Sequence, residues 1–369
     1  MKITPTNRLN TGESLASVLF LPPQWLLAWS GTAGLCIFKS NQEGPEPQRV
    51  ILQSKESPVT NAVALSPHRF LTWGLDANLW LWNLEQANST QRFSLLDPMA
   101  IIEGVVPLGP EDWLSWTQDG AISIWRAQEP NPWCHFPEAI FPSLTTHTLP
   151  RVQLVDETRA VAQAGMELCL LDLRPGKLTK YFGRADGEIQ GMFVHAHDHV
   201  VAWNRRCVYI WNFESGDEAI RYPGHESSIQ GVAPYDDSHF FSWCQSIHVW
   251  EGSTGRRVAL AKTTDGHYIR TVQRFGESLF YVSLTTMGRW IPGQERSPRR
   301  ISGNWSTLTF WNNNVVLTSR NEIELRDPTT LRLKLRQRAH EGIIVGVSIL
   351  PDGRLATWSV DGTICLWNG

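Results

Sequence analysis

Apolar and polar residues alternate with a period of two along short stretches, as in Ile122-Ser123-Ile124-Trp125 and Ile364-Cys365-Leu366-Trp367. That period puts successive side chains on opposite faces of an extended backbone and predicts strands. Tight-turn sequences separate the stretches: Gln118-Asp119-Gly120, Pro351-Asp352-Gly353 and Val360-Asp361-Gly362. Each joins a carboxylate that can bond nearby backbone to a glycine that tolerates positive φ. Helical periodicity of any length is missing. The pattern predicts an all-β chain of many short antiparallel strands.

The tryptophans give those strands a register. Six phrases end alike: Leu26-Leu27-Ala28-Trp29, Phe70-Leu71-Thr72-Trp73, Trp113-Leu114-Ser115-Trp116, Val200-Val201-Ala202-Trp203, Phe240-Phe241-Ser242-Trp243 and Leu355-Ala356-Thr357-Trp358. Seven to nine residues later each reaches a second large residue: Phe38, Trp82, Trp125, Trp211, Trp250 or Trp367. Weaker copies end at Leu171, Trp290 and Arg326. Successive end points lie 36 to 46 residues apart and account for the whole chain. A second column lies twelve residues before each phrase-ending Trp: Ser17, Asn61, Gly104, Gly191, Gly231 and Gly346. Four short strands repeated at roughly 40–45 residues predict propeller blades. The expectation is one domain over residues 1–369, a closed β-propeller of about nine four-stranded antiparallel blades. Nine exceeds the usual range of roughly four to eight, and the count becomes eight if unit seven or eight is an insertion. The small-residue column falls on the strand before the Trp-bearing one. In a propeller that strand lines the axis, where crowding between blades admits only small side chains.

The last unit resembles the WD-repeat family. Its phrases are His340-Glu341-Gly342, Leu350-Pro351-Asp352-Gly353, Leu355 to Gly362, and Ile364-Cys365-Leu366-Trp367-Asn368; Gly224-His225 and Ile247-His248-Val249-Trp250 repeat part of the set. Two features depart from the family: Asp never follows the strand Trp, and a Trp replaces the usual small residue on the preceding strand. The resemblance implies that each blade's outermost strand opens the next repeat. Residues 2–8, within an N-terminal segment 1–8, are then expected to pair beside 363–368 as the outer strand of the last blade and to close the ring. It also implies that His340, Thr357, Asp361 and Trp367, with His225, Ser242 and Trp250 in unit six, form a structural network. The same His, hydroxyl and carboxylate could suggest a nucleophilic triad. A set that recurs piecemeal around a ring reads instead as blade glue, since buried polar groups must be hydrogen-bonded.

Composition narrows the function classes. The 369 residues are 42% hydrophobic and 19% charged, with net charge −3. That gives no global basic field for nucleic acid. No apolar run approaches the ~18 residues of a membrane span. Leu15–Leu21 is too short and polar-flanked for a signal peptide. Six cysteines without paired spacing read as reduced thiols of a cytoplasmic protein, three of them (Cys36, Cys169 and Cys365) at one strand position.

Three other constellations carry candidate chemistry. His195, His197 and His199 could ligate zinc, although the cluster straddles a hairpin turn and has no partner cluster in sequence. Arg332, Lys334 and Arg336 alternate with apolar residues on a predicted outermost strand, which suits either edge protection or an acidic partner. Trp133, Phe136 and Phe141 belong to a proline-rich apolar loop fit for partner contact. The phrase-ending Trp either pack between blades or ring one mouth of the channel. No phosphate-binding loop or nucleophile elbow appears, and no cofactor is implied. The chain reads as a non-catalytic scaffold that binds a protein partner through rim loops. The alternative is a small-ligand or metal sensor, or an enzyme, using the axial channel or the 195–199 cluster.

Overall fold

In the computed structural model the described residues are 5–30, 35–39, 50–52, 58–85, 89–136, 151–174, 176–196, 198–215, 220–263, 266–294 and 298–369. They form nine four-stranded antiparallel sheets, and no helix occurs among them. Eight sheets are continuous in sequence: blade 1 (residues 17–52), blade 2 (61–94), blade 3 (102–136), blade 4 (151–184), blade 5 (191–223), blade 6 (231–262), blade 7 (271–302) and blade 8 (307–338). Blade 9 takes Ile344–Ile349, Leu355–Ser359 and Thr363–Trp367 from the end of the chain and Pro5–Asn10 from its start. All nine repeat end points fall in third strands. Units seven and eight are complete blades, so the fold is a β-propeller of nine blades rather than eight.

The N-terminal strand pairs antiparallel with the last one, Arg8 opposite Cys365 and Leu9 opposite Ile364. It runs Pro5–Asn10, further along the chain than the expected 2–8, while residues 1–4 lie outside the described set. Leu9 is the reason for the register. Its buried side chain joins Ile364 and Leu366 in the core between blades 9 and 1. The tight turns form where Asp-Gly predicted them: Gly120, Gly353 and Gly362 all adopt positive φ.

By compactness the chain divides into two units, residues 1–99, 285–287 and 300–369, and residues 100–284 and 288–299. Within the first, apolar layers join blade 8 to 9, blade 9 to 1 and blade 1 to 2. Within the second, similar layers join blades 3 to 4, 4 to 5, 5 to 6 and 6 to 7. Middle strands feed two layers at once, which explains why they are apolar on both faces. In Glu167–Asp172, Cys169 and Leu171 enter the layer toward blade 3, and Leu168 and Leu170 the layer toward blade 5. Each fully buried Leu contributes about 2 kcal/mol.

The small-residue column has a different cause from the crowding expected at an axis. The twelve-residue interval is a hairpin, which sets Gly104 opposite Trp116, Gly191 opposite Trp203, Gly231 opposite Trp243 and Gly346 opposite Trp358. A Cβ on any of these glycines would overlap the facing indole. The ring therefore lies flat over the glycine backbone of its own blade. Where Ser17 or Asn61 stands instead, the facing Trp29 and Trp73 are buried, and Trp29 Nε1 donates at 3.0 Å to the O of Thr60, just ahead of blade 2.

Candidate functional site

Blade 9 holds the most complete polar network. His340 lies between blade 8's last strand and blade 9's first and is fully buried. Its Nε2 is 2.8 Å from Thr357 Oγ1, which also accepts Trp367 Nε1–H at 3.1 Å. His340 Nδ1 lies 2.7 Å from Thr363 Oγ1 and 3.7 Å from Asp361. Asp361 accepts the amides of Glu341 (2.8 Å), Gly342 (3.0 Å) and Thr363 (2.9 Å) and the Thr363 hydroxyl at 2.6 Å. Burial pushes the Asp361 carboxyl up, but these hydrogen bonds outweigh it and hold the group well below the usual carboxylate range. Burial lowers His340, and the nearby Asp361 offsets part of that. Thr357 is buried with its oxygen already shared, so the hydroxyl presents no face to a substrate.

The hydroxyl–tryptophan bond recurs without the full set. Trp82 Nε1 donates to Thr72 at 2.8 Å and Trp125 Nε1 to Ser115 at 2.9 Å. In blade 6, Trp250 Nε1 donates to Ser242 at 2.7 Å and His225 Nε2 lies 2.6 Å from the same oxygen. Asp76 and Asp119 stay with their own turns, bonding Asn78 and Thr117.

The histidine cluster does not converge. His195 ends blade 5's first strand, buried between the edges of Phe193 and Phe240. Burial lowers its pKa. His199 stands opposite it in register and turns to Asp198 (2.6 Å) and Asn212 (3.2 Å). His197 lies outside the described residues, among which no group of three potential ligands could hold a metal.

The partner candidates separate as well. Trp133 is 37% exposed, with the Arg126 guanidinium 4.2 Å from its ring centroid. Phe136 pairs with Ile122 and is buried in the layer between blades 3 and 4, because it points inward from the short strand Cys134–Phe136. Surface contact through Phe136 is therefore corrected, and Phe141 lies outside the described residues. On blade 8, Arg336 binds Glu324 through two hydrogen bonds (2.9 and 2.5 Å) and Lys334 meets Asn314 at 2.8 Å and Asp327 at 3.4 Å. Glu324 also pairs with buried Arg326 at 2.7 Å, so Arg336 and Lys334 are tethered within the blade, and Arg332 is exposed beside them.

Sequence reasoning missed an apolar patch on blade 9. Ile343 is 60%, Val345 42% and Val360 44% exposed, and Val360 N–H donates to Ile343 O at 3.0 Å. The available signal was an aliphatic residue inside the otherwise polar turn Ser359-Val360-Asp361-Gly362. Leu75 holds the same turn position in blade 2 and is also exposed.

Nine four-stranded blades with recurrent strand-Trp to hydroxyl bonds define a WD-repeat β-propeller. No family model matches the chain. Human (Homo sapiens) transducin beta-like protein 3 is 24% identical over 214 residues, or 56% of this chain. The chain spans only 24% of the length of that relative. The C-terminal WD40 domain of Sif2 superposes with a TM-score of 0.62 at 13% identity, over 100% of this chain and 98% of that one. A computationally designed protein, Ika8, gives 0.60 at 16% identity over 98% of each chain. At these identities the likeness to solved structures is one of fold. Among the described residues no helix is long and apolar enough to cross a membrane.

Proposed function

We propose that the protein is a non-catalytic platform that binds a partner protein through turns at one end of its blades. WD40 propellers generally mediate protein–protein interaction. The observation that carries the reading here is the exposed aliphatic patch of Ile343, Val345 and Val360. Contiguous apolar surface on a rigid sheet is costly in water and suits a partner's apolar side chains. The partner's opposing surface is apolar at its centre. Residues 1–369 act as one domain in the cytoplasm, without a cofactor. Nucleic acid is disfavoured because Lys334 and Arg336 already carry carboxylate partners. Membrane attachment is no part of this reading.

The test is affinity purification of the intact chain beside an Ile343→Glu/Val360→Lys double variant, with matched melting temperatures. A protein retained by the native chain and lost by the variant supports the patch. Equal retention by both overturns it.

A further inference from the structure

In blade 6 the second and third strands, His239–Trp243 and Ser246–Glu251, are joined by a hairpin two residues shorter than that of blade 9. Trp243 pairs with Ile247, whereas Trp358 pairs with Ile364. The shortening removes the turn carboxylate and leaves Cys244 and Gln245 in its place. His225 keeps its bond to Ser242, but its Nδ1 now faces a different group. In blade 9 that nitrogen meets Thr363 and Asp361; in blade 6 it lies 3.0 Å from Cys244 Sγ. Ser246 Oγ is 3.5 Å from the sulfur and 2.8 Å from His248 Nε2. His248, 3% exposed, stacks on His225 with ring centroids 4.0 Å apart, and its Nδ1 is buried without a hydrogen-bond partner among the described residues.

We propose that Cys244 and His225 form a thiolate–imidazolium pair and that Cys244 is a site of oxidation by a small hydroperoxide. A doubly protonated His225 donates from Nε2 to Ser242 and from Nδ1 to sulfur, satisfying both acceptors at once. Ser242 is already an acceptor for Trp250, so its oxygen suits a second donor. Burial and the neighbouring His225, then Arg257 and Lys262, push His248 down to about 3, which keeps the stacked ring neutral. Lys262 is itself paired with Glu226 at 3.3 Å. Burial alone would raise the Cys244 thiol, but the hydrogen bond from His225, with smaller contributions from Ser227 and Ser246, outweighs it and brings the thiol to about 6. In blade 9 the sulfur of Cys365 is 4.0 Å from His340 Nδ1, which turns to Thr363 instead, and burial pushes Cys365 up to about 11 and Cys169 up to about 12.

Size selects the oxidant. Cys244 is 1% exposed, but half-buried His225 stands between exposed Gly224 and Glu226, so the sulfur lies one side chain from solvent. A small uncharged peroxide fits that approach better than a glutathione-sized disulfide. The thiolate attacks one peroxide oxygen, forming S–O as O–O breaks. The departing hydroxide takes the Nδ1 proton of His225, giving sulfenic acid and water. Sulfur loses two electrons and the peroxide gains them.

The test uses the folded full-length protein. Iodoacetamide labelling between pH 5 and 9, resolved peptide by peptide, reads all six thiols. A second arm adds hydrogen peroxide followed by a dione probe for sulfenic acid. At pH 7 Cys244 is expected to label about tenfold faster than the better-exposed Cys134 and Cys207, with its midpoint near pH 6. The dione adduct should fall on Cys244. In His225→Asn the midpoint should move above pH 8. The native profile stands without that variant. Labelling of Cys244 that is slower than Cys134, that needs unfolding, or that rises only above pH 8 would overturn the pair.

Discussion

Blades 9 and 6 hold the same three groups, a histidine ahead of the first strand, a hydroxyl on the second and a tryptophan on the third. They differ in the turn. In blade 9, Asp361 reaches back to the amides of Glu341 and Gly342 and ties the inter-blade segment to the hairpin. In blade 6 no turn carboxylate exists, and His225 bonds only side chains. His340 is accordingly buried outright and His225 half-buried. The histidine–hydroxyl–tryptophan bonds position side chains, whereas the carboxylate positions backbone. Losing it leaves the histidine open to new chemistry. Blade 9 differs further in being assembled from both ends of the described chain.

The largest effect should come from breaking that assembly. Deleting residues 1–10 removes the buried Leu9 and a full ladder of backbone hydrogen bonds, at a cost of about 5 kcal/mol. Urea unfolding measures it, and an unchanged midpoint would show that the strand contributes nothing. Next comes Asp361→Ala, which strands two inter-blade amides and the Thr363 amide and should cost about 3 kcal/mol. Its pH dependence has a definite sign. The folded pKa lies below the unfolded value of about 4. The carboxylate's contribution is therefore complete above that value and is lost as pH falls through the folded one. Native and variant proteins should converge in acid; a constant gap would contradict the role given to the charge.

Much of this was legible in sequence, because blade register is written in large side chains. The Trp columns mark third strands at Trp82, Trp125, Trp211, Trp250, Trp290 and Trp367, and the twelve-residue offset marks the first hairpin of six blades. What it hid was orientation. The glycines at 104, 191, 231 and 346 are spaced as an axial column would be, yet a facing indole selects them. Phe136 looks like a loop aromatic, but strand parity turns it inward. Arg336 and Lys334 look free until Glu324 and Asp327 are brought beside them by folding. Cys244 was invisible because its meaning depends on a turn two residues shorter than its counterpart.

The first hairpin is common to both blades, so it serves as a control on the comparison. Gly231→Ala and Gly346→Ala each force a methyl into an indole and should cost about 2 kcal/mol. Combining each with Trp243→Leu or Trp358→Leu should recover part of that loss, giving a sub-additive double-mutant cycle. Ser17→Ala in blade 1 should change stability by less than about 0.5 kcal/mol. Additive cycles would mean that the glycines answer to something other than the ring.

A small effect at neutral pH, within about 1 kcal/mol, belongs to His248→Leu, yet it separates the blades by their response to acid. His248 sits where blade 9 has Cys365, on the third strand two residues before the Trp. Its folded pKa, about 3, lies below the unfolded value near 6.5. The unfolded chain then binds the extra proton between those values, so stability is complete above about pH 6.5 and falls as pH drops toward 3. One such group steepens the dependence by up to about 1.4 kcal/mol per pH unit. Burial also lowers His340, which contributes a slope of the same sign from blade 9. Between pH 6.5 and 5 Asp361 stays ionised and silent, so the slope there comes from the histidines and from Cys244, whose thiol at about 6 takes up its proton over the same range. His248→Leu should flatten the loss over that range without abolishing it, while Asp361→Ala leaves it unchanged. An identical slope in native protein and His248→Leu would place the acid response outside His248.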